Sequence, residues 1–222
     1  MKIATIQQLL NIPIIESDEP MVVVQEFAPE IICAYNKLDM VPLFGDKFYL
    51  RVSVINKLKL AQQKLQVHNL DMNLRIAYGY RHPDIQKKYF DKRKNEVRGK
   101  NFGISESDLT LKTHLLTALP DVAGHTTGGA IDLTIQDSNG LLDMGCEIAD
   151  FSSNLIETFS VGLTGEQQKN RVLLREVLME QNFAPFDGEW WHFSYGDREW
   201  AAYYNNDYAI YDKIDIKKMS VN

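Results

Sequence analysis

Apolar and polar residues alternate along the chain with two different periods, and the switches between them mark the elements. Val54, Ile55, Leu58, Ala61 and Leu65 recur at helical spacing with lysines and glutamines between them, so an amphipathic helix is expected over 54–67. Leu74, Ile76, Tyr78 and Tyr80 then alternate with Arg75, Ala77, Gly79 and Arg81, the period of a half-buried strand with one apolar face. Pro83 should stop that strand, and Asp84 can open a helix running towards Arg93. A short helix around Ser107 to Leu119 precedes a second alternating stretch, Ala130 to Ile135, which Asp137-Ser138-Asn139-Gly140 turns into a hairpin.

Thr164-Gly165-Glu166-Gln167 has the form of a capping box, and Val172, Leu173, Val177 and Leu178 continue a helical pattern behind it. Trp190 to Tyr195 is aromatic-rich and reads as a strand. The first fifty residues, punctuated by Pro13, Pro20, Pro29 and Pro42, read as short extended pieces. The expected class is therefore α+β, with a central, mainly antiparallel sheet flanked by helices. No linker or repeat divides the chain, so residues 1–222 are expected to form one domain.

Charge narrows the partners. The 222 residues carry 24 Lys and Arg against 30 Asp and Glu, a net charge of −6, which argues against a nonspecific grip on nucleic acid. The one dense basic run, Asp91 to Lys100, reads as a solvated helix end and loop. No stretch approaches the length of a membrane span, and the N-terminus has no export-signal pattern, so no membrane partner and a cytoplasmic location are expected. Cys33 and Cys146 are too few for a disulfide framework and lack the spacing of a cysteine-rich zinc site.

Two of the five histidines sit in unusual company. His125 opens H-T-T-G-G-A-I-D, where a glycine pair hands the chain to a strand carrying Asp132. Ile131, Leu133 and Ile135 should share the core face of that strand, which turns Asp132 towards a cleft. His192 lies three residues after Glu189 in D-G-E-W-W-H-F. On a regular strand those two side chains would point to opposite faces, so they can serve one site only if Glu189 precedes the strand or a bulge re-aims it. Two histidines, a carboxylate and a second carboxylate nearby match an open catalytic zinc site with a general base. Two ordinary histidines packed beside aromatic residues fit the composition equally well.

H-x-x-G-x-A-x-D at His125, Gly128, Ala130 and Asp132, together with E-W-W-H-F from Glu189 to Phe193, resembles the zinc D-alanyl-D-alanine dipeptidases of peptidase family M15. G-Y-R-H-P around Arg81, L-D-M-G at Leu142 to Gly145 and Q-K-N-R-V-L-L at Gln168 to Leu174 agree in order and spacing. The resemblance implies the fold shared by hedgehog zinc domains and D-Ala-specific peptidases. It further implies one zinc ion per chain held by His125, Asp132 and His192, Glu189 as catalytic base, and Arg81 as the group that steadies the oxyanion. The implied substrate is a small D-dipeptide, D-Ala-D-Ala or a close relative. A D,D-carboxypeptidase acting on longer stem peptides is the nearest rival, and a zinc-stabilised binding module without catalysis is a more distant one. Oligomeric state is left open.

The chain departs from the family pattern in three places. Ala123 stands where a substrate-binding serine is usual, and Ala149 stands where an aspartate meets the substrate amine, with Asp150 one step later as the replacement candidate. The stretch from Lys94 to Pro120 fits poorly, so a variable rim is expected over about 94–120.

Overall fold

The structure, a computed structural model, describes residues 4–216. Its first strands are β1 (Met21–Val23), β2 (Ile32–Cys33), β3 (Tyr49–Arg51) and β4 (Asn73–Tyr78). They are followed by β5 (Ala130–Asp137), β6 (Gly140–Leu141), β7 (Ala184–Pro185) and β8 (His192–Ser194). β1 and β3 form a separate antiparallel ribbon. The main sheet runs β2-β4-β5-β8-β7, with β6 folding back on the far end of β5. Only the β2–β4 pairing is parallel, so the sheet is mainly antiparallel, as the hairpin signal implied.

The helices are α1 (Ile6–Asn11), α2 (Val24–Phe27), α3 (Val41–Phe44) and α4 (Val52–His68), then α5 (Pro83–Lys100), α6 (Glu106–His114), α7 (Gly165–Met179) and α8 (Arg198–Tyr204). The apolar stripe of α4, with Val54, Ile55, Leu58, Ala61 and Leu65 all fully buried, joins Leu174, Val177 and Leu178 of α7 in one core. That core lies against Leu74, Ile76, Ile131, Leu133 and Ile135 of the sheet. Each such leucine or isoleucine contributes roughly 1.5–3 kcal/mol through burial, which makes this face the rigid platform of the molecule.

Three expectations need correction. The N-terminal segment is not wholly extended: Ile6–Asn11 is helical because Thr5 and Gln8 form a reciprocal capping box, the same device that opens α7 at Thr164 and Gln167. The T-x-x-Q signal was present at both places. Helix α5 runs to Lys100 rather than ending near Arg93, so the basic run is helical. Lys87–Asp91 and Arg93–Glu96 pairs along its surface, and Lys94 and Arg98 reaching Glu106 of α6, support the extra turns.

The third correction concerns β4. Leu74 and Ile76 do enter the main core, but the register slips between Ile76 and Tyr78, leaving Ile76 opposite Leu133 and Tyr78 opposite Asp132. A regular strand would have placed Tyr78 opposite Ile131. The inserted residue turns Tyr78 out of the core face, into a smaller cluster with Met40 and Tyr80 on the side that bears Asp132. Period-two reading of the sequence has no means of registering such a bulge.

Candidate metal centre and its surroundings

The strand register builds the site. On β5, Asp132 lies opposite Tyr78 of β4 on one side and opposite His192 of β8 on the other, so the three form a row across the sheet. His125 enters from a 3₁₀ turn, Gly124–Thr127, that leads into β5. The turn ends at Gly128 with φ 77°, in the left-handed region that favours glycine. Gly129 follows, where a Cβ would stand 2.3 Å from the Tyr195 carbonyl oxygen, so only glycine lets the loop approach β8 this closely.

Ligating atoms of His125, Asp132 and His192 all lie within 4.8 Å of one another. Asp132 Oδ1 is 3.0 Å from His192 Nδ1 and 3.4 Å from His125 Nε2, and the two imidazoles meet edge to face at 4.9 Å. His125 Nδ1 donates to the Gly79 carbonyl at 2.8 Å; because a carbonyl only accepts, that bond fixes the tautomer and leaves Nε2 bare. Nε2 of His192 points at the Glu199 carboxylate, 3.6 Å away, which turns Nδ1 inward. Both rings are thus oriented from behind, the arrangement expected of metal-binding histidines.

The electrostatics agree with the geometry. Burial disfavours the Asp132 carboxylate, yet His125 and His192 together outweigh it and hold the group far below the usual carboxylate range. Burial likewise opposes charge on His192, but Asp132 and Glu199 overcome it and raise its basicity. His125 goes the other way, because burial dominates there. A metal needs a neutral nitrogen from each ring, so metal uptake is coupled to release of the His192 proton. An N, O, N donor set of this kind suits a single divalent metal ion.

Glu189 satisfies the geometric demand that its spacing imposed. It lies in the turn between β7 and β8, before the strand begins; its amide donates to Phe186, and the His192 amide donates to the Glu189 carbonyl. Its carboxyl is pushed up to about 7, first by burial, against the pull of His192 and with a contribution from Asp132. Arg81 follows the bulged end of β4. Its amide donates to the His125 carbonyl at 2.9 Å, its Nε to the Tyr78 hydroxyl and its Nη1 to Gln86. The guanidinium stands over the Tyr78 ring at 4.6 Å, and Tyr78 meets His125 edge to face at 5.5 Å. Arg81 and the His125 loop are therefore one unit.

Asp150 is placed differently. Its Oδ1 accepts from both the amide and the hydroxyl of Ser152, so the side chain closes its own loop. Ala149, just before it, has φ 62°, an unusual conformation for alanine, and Phe151, just after it, packs edge to face on Trp191 at 5.9 Å. The loop thus borders the Glu189 turn. Ala123 is buried and precedes the 3₁₀ turn, with its carbonyl accepting from the Thr126 hydroxyl.

Several contributors escaped the sequence reading. Glu199 behind His192 lies on α8, whose N-terminus is capped by Asp197. Arg171, fully buried, donates to the carbonyls of Met144, Leu155 and Glu157 and stands over Trp190, so it ties α7 to the loop beside Glu189. The weak L-D-M-G and Q-K-N-R segments meet here: Asn170 donates to the Asp143 carbonyl and Gln167 to its carboxylate. Arg51, also buried, joins Thr127 of the metal loop to Glu16, Glu19 and Asp212. None of the three carries a local signal for its support role; Arg171 even lies within the Q-K-N-R-V-L-L segment. His82, by contrast, caps α5, and burial raises Cys33 to about 12, which removes it as a nucleophile.

An α+β fold carrying a buried His-Asp-His cluster with a carboxyl and a guanidinium beside it defines a class of candidate single-metal hydrolases. Comparison with known proteins narrows this further. The chain belongs to the family described as D-Ala-D-Ala dipeptidase, peptidase family M15, whose model matches residues 48–214. It is similar to D-alanyl-D-alanine dipeptidases from Synechocystis sp. (36% identity over 101 residues, 40% of this chain and 41% of that one) and Escherichia coli (33% over 72 residues, 32% and 37%). The Enterococcus faecium dipeptidase matches at 30% over 84 residues, 37% of this chain and 41% of that one. These matches span about two-fifths of each relative's length. Among solved structures, the LD-carboxypeptidase LdcB aligns with a TM-score of 0.48 at 17% identity, over 88% of this chain and 76% of that one. VanYB in complex with D-alanine-D-alanine aligns with a TM-score of 0.44 at 16% identity, over 73% and 81%. Among the described residues no helix is long and apolar enough to cross a membrane.

Proposed function

We propose that this chain, as one domain over residues 1–222, is a zinc-dependent dipeptidase that hydrolyses D-alanyl-D-alanine or a similar D-dipeptide. The observation that carries the reading is the His125, Asp132 and His192 cluster, within 4.8 Å, beside a half-buried Glu189 whose carboxyl is pushed up to about 7. Zinc held there by those three residues supplies a lowered pKa for water, towards roughly 7, and polarises the scissile carbonyl.

The remaining work falls to the chain. Glu189, whose carboxyl sits near neutrality, accepts the proton of the attacking water at its carboxylate oxygen and delivers it to the leaving amine. Arg81, held by Tyr78 and Gln86, presents a fixed cation to the negative charge that develops on the carbonyl oxygen. Gly79 and Glu199 keep the two imidazoles turned inward throughout. The segment from 94 to 120 forms the variable rim.

One observation favours the rival reading, a D,D-carboxypeptidase. Asp150 Oδ1 accepts from Ser152 within its own loop, so the carboxylate expected to meet the substrate amine is engaged locally, as suits a peptide without a free amine there. The deciding experiment measures metal content and hydrolysis of free D-Ala-D-Ala against a muramyl pentapeptide. Stoichiometric zinc with turnover of the free dipeptide is expected. Turnover of the pentapeptide alone would replace the dipeptidase reading with the carboxypeptidase one, and a metal-free, chelator-insensitive protein would remove the metal site altogether.

A further inference from the structure

The proposed reaction leaves the C-terminal carboxylate of the substrate, as well as its amine, unanswered. A D-dipeptide carries a C-terminal carboxylate, and Arg81 is committed to the carbonyl oxygen. Lys37 lies in the loop between β2 and α3, and that loop is fastened on both sides of it. Before it, the Ala34 amide donates to the Ile76 carbonyl and the Asn36 amide to the Ala77 carbonyl, so the loop follows the bulged end of β4. After it, the Asp39 carboxylate accepts from the hydroxyls of both Tyr78 and Tyr89. Those two rings are the ones on which Arg81 rests, at 4.6 and 5.4 Å, and the Lys37 amine stands 5.7 Å from the centre of the Tyr89 ring.

Lys37 is solvent-accessible and makes no ion pair with any carboxylate among the described residues. Among other exposed lysines, Lys47, Lys64 and Lys87 are each matched to a glutamate or aspartate. Although the residue is accessible as a whole, surrounding protein lowers the basicity of its amine, followed by the Arg81 charge, while Asp132, Asp39 and Glu189 pull it back. The amine therefore feels the charges of the site itself. A cation anchored beside the oxyanion group, yet unpaired, has the character of a group awaiting an anionic ligand.

We propose that Lys37 binds the C-terminal carboxylate of the substrate, so that the site demands a free carboxylate one residue beyond the bond it cuts. This rests on the peptidase reading and deepens it. Tyr78, Tyr89 and Asp39 act as the positioning frame that keeps the Lys37 and Arg81 cations at a fixed spacing, one for the carboxylate and one for the carbonyl oxygen.

The test compares D-Ala-D-Ala with its C-terminal amide in the zinc-loaded full-length protein and its Lys37→Met and Lys37→Arg variants. Loss of a charge-assisted contact at a partly open site should raise KM for the free acid about tenfold, with kcat moved by less than about threefold. The preference for acid over amide should fall by the same factor, and Lys37→Arg should recover most of it. Calorimetric titration of the dipeptide into zinc-loaded Glu189→Gln, with and without Lys37→Met, reads the same difference without turnover. Equal losses on acid and amide, an unaltered KM, or a drop in kcat with a displaced alkaline limb would overturn the assignment, the last by making Lys37 a proton donor. If the wild-type protein holds zinc but cleaves no D-peptide, the peptidase reading falls and takes this one with it, an outcome visible before any Lys37 variant is made.

Discussion

Asp132 and His192 are placed by strands, whereas Glu189, Arg81 and Lys37 are placed by loops, and the two sets are held by different physics. The strand pair is fixed by ladder register: Asp132 opposite His192, on a sheet whose other face is the fully buried Ile131, Leu133 and Ile135. Moving either residue to the opposite face would mean slipping a strand and exposing that core. The loop residues have no ladder. Each is secured by polar contacts instead: Arg171 behind the Glu189 turn, the His125 carbonyl and Tyr78 around Arg81, Asp39 beyond Lys37. A sheet can give a metal its fixed ligands, while groups that must meet a substrate and exchange protons come from segments held by a few replaceable bonds.

This contrast can be broken at either end. The largest effect is expected for Asp132→Ala, which should remove stoichiometric zinc and turnover together while the core keeps the protein folded; metal analysis and circular dichroism read both, and retained zinc would deny the strand pair its role. Glu189→Gln should keep the metal and lower kcat by about 10²–10⁴-fold, the usual size of a lost general base. Loss of metal in that variant would erase the distinction between the two sets. Glu199→Gln, which loosens His192 from behind, should weaken zinc affinity by about 10–100-fold in a competition titration with little change in kcat at saturating metal.

The smallest effect is on stability. Asp197 caps α8 through Oδ1, while its Oδ2 is buried without a partner, and burial, with the Glu199 charge, raises its carboxyl to about 6. A carboxyl raised on folding binds its proton more tightly in the native state, so its contribution is complete below the unfolded value near 3.8 and is lost as pH rises through about 6. Replacing it with Asn should flatten that part of the stability curve between about pH 4 and 6, measured by denaturant unfolding. An unchanged slope would show that Asp197 does not titrate there.

The long elements were legible because their patterns are long. Helix α4, strand β5 and the capping box of α7 all stand where spacing and turn chemistry put them. The short N-terminal helix α1 was missed despite an equivalent capping box, since six residues carry too little periodicity to outweigh the prolines that follow. The site divides the same way. His125, Asp132, His192, Glu189 and Arg81 were all found from motifs, and the structure brings them together. Asp150, chosen by a one-residue slip from a pattern, turns to Ser152 instead.

By itself, then, the sequence singled out the residues proposed for metal-binding and acid-base chemistry and the stripe that becomes core, because both are written in residue type and local spacing. Tertiary structure alone decided how that chemistry is supported. The bulge that turns Tyr78 to the Asp132 side depends on pairing with a strand more than fifty residues away. Glu199 behind His192, Arg171 behind Trp190 and Lys37 beside the Arg81 platform all depend on separate segments meeting in space. Such contacts join residues far apart in the chain, and no local period encodes them.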